Sequence, residues 1–215
     1  MPMGRILAVS DIHGYSFLLE RLLHFAGYNS AEDHLYLLGD YVNKGPDSKG
    51  TLQLVERLCR EGAIALQGNN ERKWLLEMPV DAVSGSVEAA RCRSMIACLP
   101  LWAKHGRYLF VHAGLRPGVG LKEQSAEDLT NIREEFHQSP AMKGITVVFG
   151  HTSTFRFGTS PDCVWQGEGK LGIDTGAGHG RYLSLIDLTG NWQWLISVTD
   201  PTEMRKQRLP CPFFV

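Results

Sequence analysis

Five turn-forming stretches carry side chains able to hold a cation: Ser10-Asp11-Ile12-His13-Gly14, Gly39-Asp40, Gly68-Asn69-Asn70-Glu71, His112-Ala113-Gly114 and Gly150-His151-Thr152. Each follows a short apolar run. Asp11, His13, Asp40, Asn69, His112 and His151 offer carboxylate, imidazole and amide donors without thiolate. That set suits Mn2+, Fe or Zn2+ better than Ca2+, which takes an all-oxygen shell. Taken singly, each residue is ordinary. Gly-Asp after a strand is common turn chemistry, Asp11 is a good helix N-cap, and a lone histidine is more often packed in a core than bound to metal. Five such ends in one chain point instead to a shared site. Asp40 breaks the run Leu35–Ser48, LYLLGDYVNKGPDS, and is the carboxylate expected to bridge two ions. Two cations about 4 Å apart clamp a phosphoryl group, and a water bridging them becomes hydroxide near neutral pH. The chemistry expected is metal-dependent phosphoester hydrolysis.

Those turns need strands to present them. Arg5–Val9, Leu35–Leu38 and Ala63–Leu66 read as short buried strands. Between them, Phe17–Ala26 has apolar residues at helical spacing with Gly27 at its end, and a second helix opens at Asp47-Ser48 and runs to about Glu61. Strand–helix–strand–helix–strand predicts a mostly parallel sheet with helices on its faces, whose ligands gather at the C-terminal edge. Met78–Lys104 reads as helical and less regular, with a loop at Ser84-Gly85-Ser86 and a helix over Val87–Leu99 that is a candidate cap over the site. Arg107–Val111 and Ile145–Phe149 read as strands, and Ser125–Phe136 as a helix opened by the Ser125/Asp128 capping pattern. Lys170–Asp174, Tyr182–Leu188 and Trp192–Val198 make a β-rich end, the last two a hairpin through Gly190-Asn191. Pro201–Val215 shows only an apolar end. No repeat, low-complexity tract or linker interrupts the chain, so one domain over residues 1–215 is expected.

Composition narrows the class. The chain has 215 residues, 43% hydrophobic, and a formal net charge of −1, so bulk charge indicates no nucleic-acid surface. No apolar run approaches the roughly 18 residues of a membrane span. The short apolar run at the N-terminus leads straight into a functional-looking turn rather than a signal-peptide cleavage site. Cys59, Cys92, Cys98, Cys163 and Cys211 are odd in number and form no CxxC, which fits a reduced compartment. Cytoplasmic residence without a membrane partner is the expectation; the oligomeric state is open.

Together with Ile132-Arg133-Glu134-Glu135-Phe136 and Ile173-Asp174-Thr175-Gly176-Ala177, the five stretches resemble the calcineurin-like metallophosphoesterases. More narrowly they resemble the bacterial and phage branch of PPP-type serine/threonine protein phosphatases, close to the symmetrical diadenosine tetraphosphate hydrolases. The likeness runs from about Ile6 to Leu188. It implies an α/β calcineurin-like fold, a β-sandwich flanked by helices. It also implies two divalent metal ions, Mn2+ first and Fe or Zn2+ as alternatives. Asp11, His13 and Asp40 would hold one ion; Asp40, Asn69, His112 and His151 would hold the other. Arg133 would grip the phosphate, as a guanidinium does bidentately.

Three positions depart from that pattern. Asn43 stands where the family carries an aspartate, Lys44 where it carries an arginine, and Asn70 where it carries a histidine. The resemblance makes that histidine the acid that protonates the leaving oxygen and the aspartate its partner. An amide cannot donate a proton as an acid at neutral pH. General acid catalysis contributes about 10²- to 10⁴-fold, so its loss should weaken hydrolysis of alkyl phosphomonoesters most and bonds with acidic leaving groups least. The readings carried forward are a phosphoesterase acting on a phosphorylated protein or small phosphoester, a dinucleoside polyphosphate or cyclic/diester phosphohydrolase, and a metal- and phosphate-binding module without turnover. His179 reads as a loop histidine rather than a substitute acid, Arg181 is open between a substitute phosphate contact and a surface charge, and His24, His34, His105 and His137 are given no role.

Overall fold

The computed structural model describes residues 4–77, 87–140 and 142–209. The expected loop at Ser84-Gly85-Ser86 and the apolar C-terminal end therefore lie outside the described residues. Two mixed sheets face each other. The first has six strands in the order β11-β10-β9-β1-β2-β3, namely Met204–Arg208, Trp192–Ser197, Tyr182–Asp187, Ile6–Val9, His34–Leu37 and Ile64–Ala65. The second has five in the order β4-β5-β6-β8-β7, namely Trp102–His105, Tyr108–Val111, Thr146–Phe149, Lys170–Gly172 and Trp165–Gly167. The result is a sandwich flanked by helices on both outer faces.

The strands alternate between two apolar environments, as a period of two requires when both faces are buried. Ala8, Tyr36 and Ile186 of the first sheet meet Phe110, Val148 and Leu171 of the second in one buried cluster. Tyr36 stacks on Phe110 across it, 3.9 Å between centroids and 7° from parallel. Leu7, Val9, Leu35 and Leu37 point the other way, onto α1 (Ser16–Phe25) and α2 (Ser48–Arg60). Leu109, Val111, Val147 and Phe149 form the outer face of the second sheet, under α5 (Ala126–Asn131) and α6 (Glu134–His137). Asp47 caps α2 by accepting from the Gly50 amide at 2.7 Å. Between the sheets' helices, α3 (Asn69–Glu77) and α4 (Val87–Cys98) follow β3, and α4 docks through Ile96, whose carbonyl accepts from Gln67.

Three expectations are corrected here. The parallel pattern holds only for β1-β2-β3 and β5-β6-β8; β9, β10, β11, β4 and β7 pair antiparallel. Trp102–His105, read as the end of an irregular helical stretch, is β4, because it pairs with β5 along its whole length. Ser125–Phe136 is two helices: Ile132 has ψ 146° and leaves the helical path, which buries it beside Phe136. Ser125 does cap the first of them, accepting from the Asp128 amide at 3.0 Å. Among the described residues no helix is long and apolar enough to cross a membrane.

His137, given no role from sequence, is wedged against Phe149 and Phe157, with ring centroids at 5.5 and 4.7 Å. Its Nε2 is buried without a hydrogen-bond partner. Burial, reinforced by the charges of Arg133 and Lys170, drops its pKa from 6.5 to about 4. The folded-state pKa is depressed, so the stability this residue contributes is present above pH 6.5 and is lost as pH falls toward about 4. His137→Phe should therefore reduce the drop in urea-denaturation midpoint between about pH 7.5 and about pH 5 relative to wild type. An unchanged pH dependence would refute this account of the residue.

Candidate metal centre

The parallel strands of both sheets deliver their C-terminal ends to one edge. Asp11 and His13 follow β1, Asp40 follows β2, Asn69 follows β3, His112 follows β5 and His151 follows β6. Backbone hydrogen bonds lock these turns together: Asp11 to the Gly39 carbonyl at 3.1 Å, His13 to that of Asp40 at 2.8 Å, and Gly150 to that of His112 at 2.8 Å. The local conformations are costly. Among the described residues seven non-glycine residues have positive φ, and six of them, Asp11, His13, Asp40, Asn43, Lys44 and His151, belong to this edge. Each such residue costs roughly 1–3 kcal/mol, and strain of this kind concentrates where function over-determines the backbone. Gly68 permits the closest approach, since a Cβ there would lie 2.4 Å from both the Asp40 amide nitrogen and Asp40 Oδ1.

The six predicted donors do converge. His13 turns its Nδ1 to the Val42 carbonyl at 3.1 Å, so its Nε2 faces inward, 3.6 Å from Asp40 Oδ2 and 3.8 Å from Asp11 Oδ1. His112 turns its Nδ1 to the Leu38 carbonyl at 2.8 Å, leaving its Nε2 at 3.5 Å from Asp40 Oδ1 and 3.0 Å from Asn69 Oδ1. His151 places Nδ1 2.9 Å from the same Asn69 oxygen. The two oxygens of Asp40 thus face two different imidazoles. A backbone carbonyl behind a ring fixes its tautomer with the lone pair inward, the arrangement that metal-binding histidines use. The gaps of 3.5–3.8 Å exceed a hydrogen bond but suit two donors each about 2.1 Å from one cation. Asp11, Asp40 and His112 alone bring three such atoms within 4.8 Å of one another. By donor type and geometry the cluster fits divalent metal.

Its electrostatics agree. Burial and the neighbouring Asp40 raise the Asp11 pKa, although His112 opposes them. Burial also works against ionised Asp40, yet His112, His13 and the hydrogen bonds from Asn70 outweigh it, and its pKa is lowered. His112 is held up against its own burial by Asp40 and Asp11. His151 falls to about 2 through burial and the charges of His112 and Arg133, so it is a neutral donor.

Around the cluster, Asn70 donates from Nδ2 to Asp40 Oδ2 at 2.5 Å and from its backbone to Oδ1 at 3.0 Å, while Asn43 donates to Asn70 Oδ1 at 2.8 Å. Lys44 brings Nζ to 3.1 Å from His13 Nε2. Arg133 sits at the break between α5 and α6 and donates to Thr152 Oγ1 at 2.8 Å. Its pKa is lowered by burial and by Arg156, against the pull of Asp11, Asp174 and Asp40. His179 packs edge-on against Phe155 instead, with ring centroids 5.7 Å apart.

Two residues that sequence reasoning left without a role are built into the site. Glu71 is fully buried and accepts four backbone amides: Asp40 at 2.8 Å, Tyr41 at 2.8 Å, Val42 at 3.2 Å and Gly68 at 3.0 Å. It ties the loop after β2 to the loop after β3. Three of these four amides lie about thirty residues earlier in the chain, which is why its motif alone did not reveal this. Burial and Asp40 raise its pKa to about 7. Asp174, in the Ile173-Asp174-Thr175-Gly176-Ala177 stretch, accepts from Ser153 Oγ and the Gly176 amide, both at 2.8 Å, and is raised to about 6 by burial and Asp11.

The comparisons with known proteins accord with this arrangement. The family profile described as calcineurin-like phosphoesterase matches residues 4–174. Among curated relatives, the symmetrical bis(5'-nucleosyl)-tetraphosphatase of Dechloromonas aromatica is 33% identical over 121 residues, covering 51% of this chain and 44% of that protein. That of Aromatoleum aromaticum is 35% identical over 125 residues, covering 53% and 45%. The chain thus spans about half the length of the curated relatives it matches. Among solved structures, a candidate diadenosine tetraphosphatase superposes with a TM-score of 0.71 at 26% identity, covering 97% of this chain and 95% of that one. A cold-active protein-tyrosine phosphatase from a psychrophilic Shewanella shares the fold, with a TM-score of 0.61 at 14% identity and coverage of 96% and 82%.

Replacing Glu71 with glutamine keeps its shape but turns an amide NH2 toward backbone donors. Glu71→Gln should cost about 1–3 kcal/mol of stability in metal-free protein, read as a lower urea midpoint. A midpoint equal to wild type would show that the four amides do not depend on this carboxylate.

Proposed function

The chain belongs to the calcineurin-like phosphoesterases, and from that premise we propose that it is a metal-dependent phosphohydrolase selective for acidic leaving groups, with the phosphoanhydride of a dinucleoside polyphosphate as its best substrate class. Asp11, His13 and Asp40 would hold one divalent cation and Asp40, Asn69, His112 and His151 a second. When bound, such a pair supplies positive charge to a phosphoryl group and lowers the pKa of a coordinated water. The chain's own residues do the rest. Asn70 grips both oxygens of Asp40, and Asn43 fixes the Asn70 amide, so the plane of the central carboxylate is set. Arg133, held by Thr152, supplies a guanidinium for the phosphate oxygens.

The observation that carries the leaving-group preference is the Asn43–Asn70 pair. Its hydrogen bonds are spent on Asp40 and on each other, and neither amide has a proton to transfer. An alkoxide leaving group needs that proton, whereas a nucleotide phosphate leaves without it. The names of the curated relatives support the same class. A phosphorylated protein would be the poorer substrate on this reading, and an aryl phosphate ester an intermediate one.

Chelator-treated protein should be inactive and regain activity with Mn2+, Fe2+ or Zn2+. Wild type should hydrolyse a dinucleoside tetraphosphate far better than a phosphoserine peptide. The double variant Asn43→Asp with Asn70→His should raise kcat/KM on the phosphoserine peptide by about 10²-fold or more and change the tetraphosphate rate little. Equal gains on both substrates, or none on the peptide, would refute the assignment.

A further inference from the structure

Lys44 stands beside the first cation position in an unusual way. The Nδ1 of His13 is committed to the Val42 carbonyl, so the only valence left on this buried ring is the Nε2 lone pair. Lys44 Nζ lies 3.1 Å from it. A cation held between Asp11, Asp40 and His13 would need that same lone pair, and one lone pair cannot serve both. The second position is different: His112 and His151 converge on the neutral oxygen of Asn69, and the nearest carboxylate to His112 is Asp40.

The backbone aims Lys44 at His13. Asn43 and Lys44 are consecutive left-handed residues, with φ 68° and 66°, and the turn is closed by the Gly45 amide on the His13 carbonyl at 2.8 Å. Gly178 lies over the pair from the opposite loop. A Cβ there would come within 2.7 Å of Lys44 Cδ and 2.9 Å of His13 Nε2, so any larger residue would break the contact. The Lys44 residue as a whole is exposed, which leaves its long, flexible stem a path outward.

We propose that Lys44 is a tethered ammonium that competes for the first cation position, so that the two divalent cations bind with unequal affinity and the first one enters only as Lys44 swings away. This inference rests on the two-cation reading above. It makes the centre a graded one: the position built from Asp40, Asn69, His112 and His151 fills at low metal concentration, and the position built from Asp11, His13 and Asp40 only at higher concentration. The displaced ammonium is then free for an anionic group at the mouth of the site.

Calorimetric titration of the metal-free full-length chain with MnCl2 tests this. Wild type should bind one Mn2+ tightly and a second at least about tenfold more weakly. Lys44→Met and Lys44→Gln should each tighten the weaker site by about tenfold or more and leave the tighter one within roughly twofold. Lys44→Arg, which keeps the charge, should not tighten it. A weaker constant unchanged in both neutral variants, or tightened equally by arginine, would overturn the role of Lys44 while leaving the two-cation reading intact. Failure of wild type and all three variants to bind Mn2+ would overturn the two-cation reading itself, and this inference with it.

Discussion

Two carboxylates, Asp11 and Asp40, are buried side by side at the edge where the sheets meet, and the rest of the molecule answers to that constraint. Neither is more than 3% exposed. Like charges in a poorly solvated place raise each other's pKa unless positive charge or donated hydrogen bonds are supplied. The structure supplies both. His112 and His13 face Asp40, Asn70 donates to it twice, and Ser10 and the His151 amide donate to Asp11. The inward-facing Nε2 lone pair of His13 meets only the Nζ of Lys44 at hydrogen-bond distance among the contacts of the described residues. A divalent cation satisfies such a surplus of acceptors more completely than any side chain can.

Holding that many polar groups together needs backbone that would not form by itself. Six left-handed residues on short turns would relax if the strands behind them could move. They cannot, because the strands are buried on both faces and because Glu71 gathers four amides from two loops around one carboxylate. The strain at the edge is therefore offset by packing in three apolar clusters well below it. This division of labour accounts for the shortness of the central strands: β1, β2, β5 and β6 have only four residues each, enough to anchor a turn and no more.

The elements that position the donors were the most legible from sequence. Strand ends, glycines and the metal-type residues coincide in the same short stretches, so a local pattern carried both the strand and its chemistry. The second sheet's partners were less legible. β4 follows a helix with only a three-residue break, and β7 and β11 are short, polar or cationic strands whose pairing depends on neighbours distant in sequence. The break at Ile132-Arg133 was hidden for a related reason: every residue around it is compatible with a helix, and only burial of Ile132 against Phe136 decides otherwise. Glu71 and Asp174 show the limit at the site. Their residue types were visible within motifs, and the Gly68 and Gly176 amides are local partners, but the Asp40, Tyr41 and Val42 amides and the Ser153 hydroxyl come from other loops, which no spacing along the chain discloses.

The exchange of acid and base types for amides at positions 43 and 70 is coherent when the two are taken together. A histidine beside Asp40 would need a carboxylate to orient and charge it; an asparagine needs only a donor for its oxygen, and Asn43 is that donor. Changing one position alone would leave either an unpaired carboxylate near Asp40 or an imidazole without its partner. The pair preserves the hydrogen bond to Asp40 and gives up proton transfer. Under the proposed function such a centre would retain positive charge and orientation, which would serve best where the departing group is already a stable anion. On the proposed function, the leaving group, rather than the phosphoryl group that both substrate classes share, would be the part of the substrate on which selectivity acts.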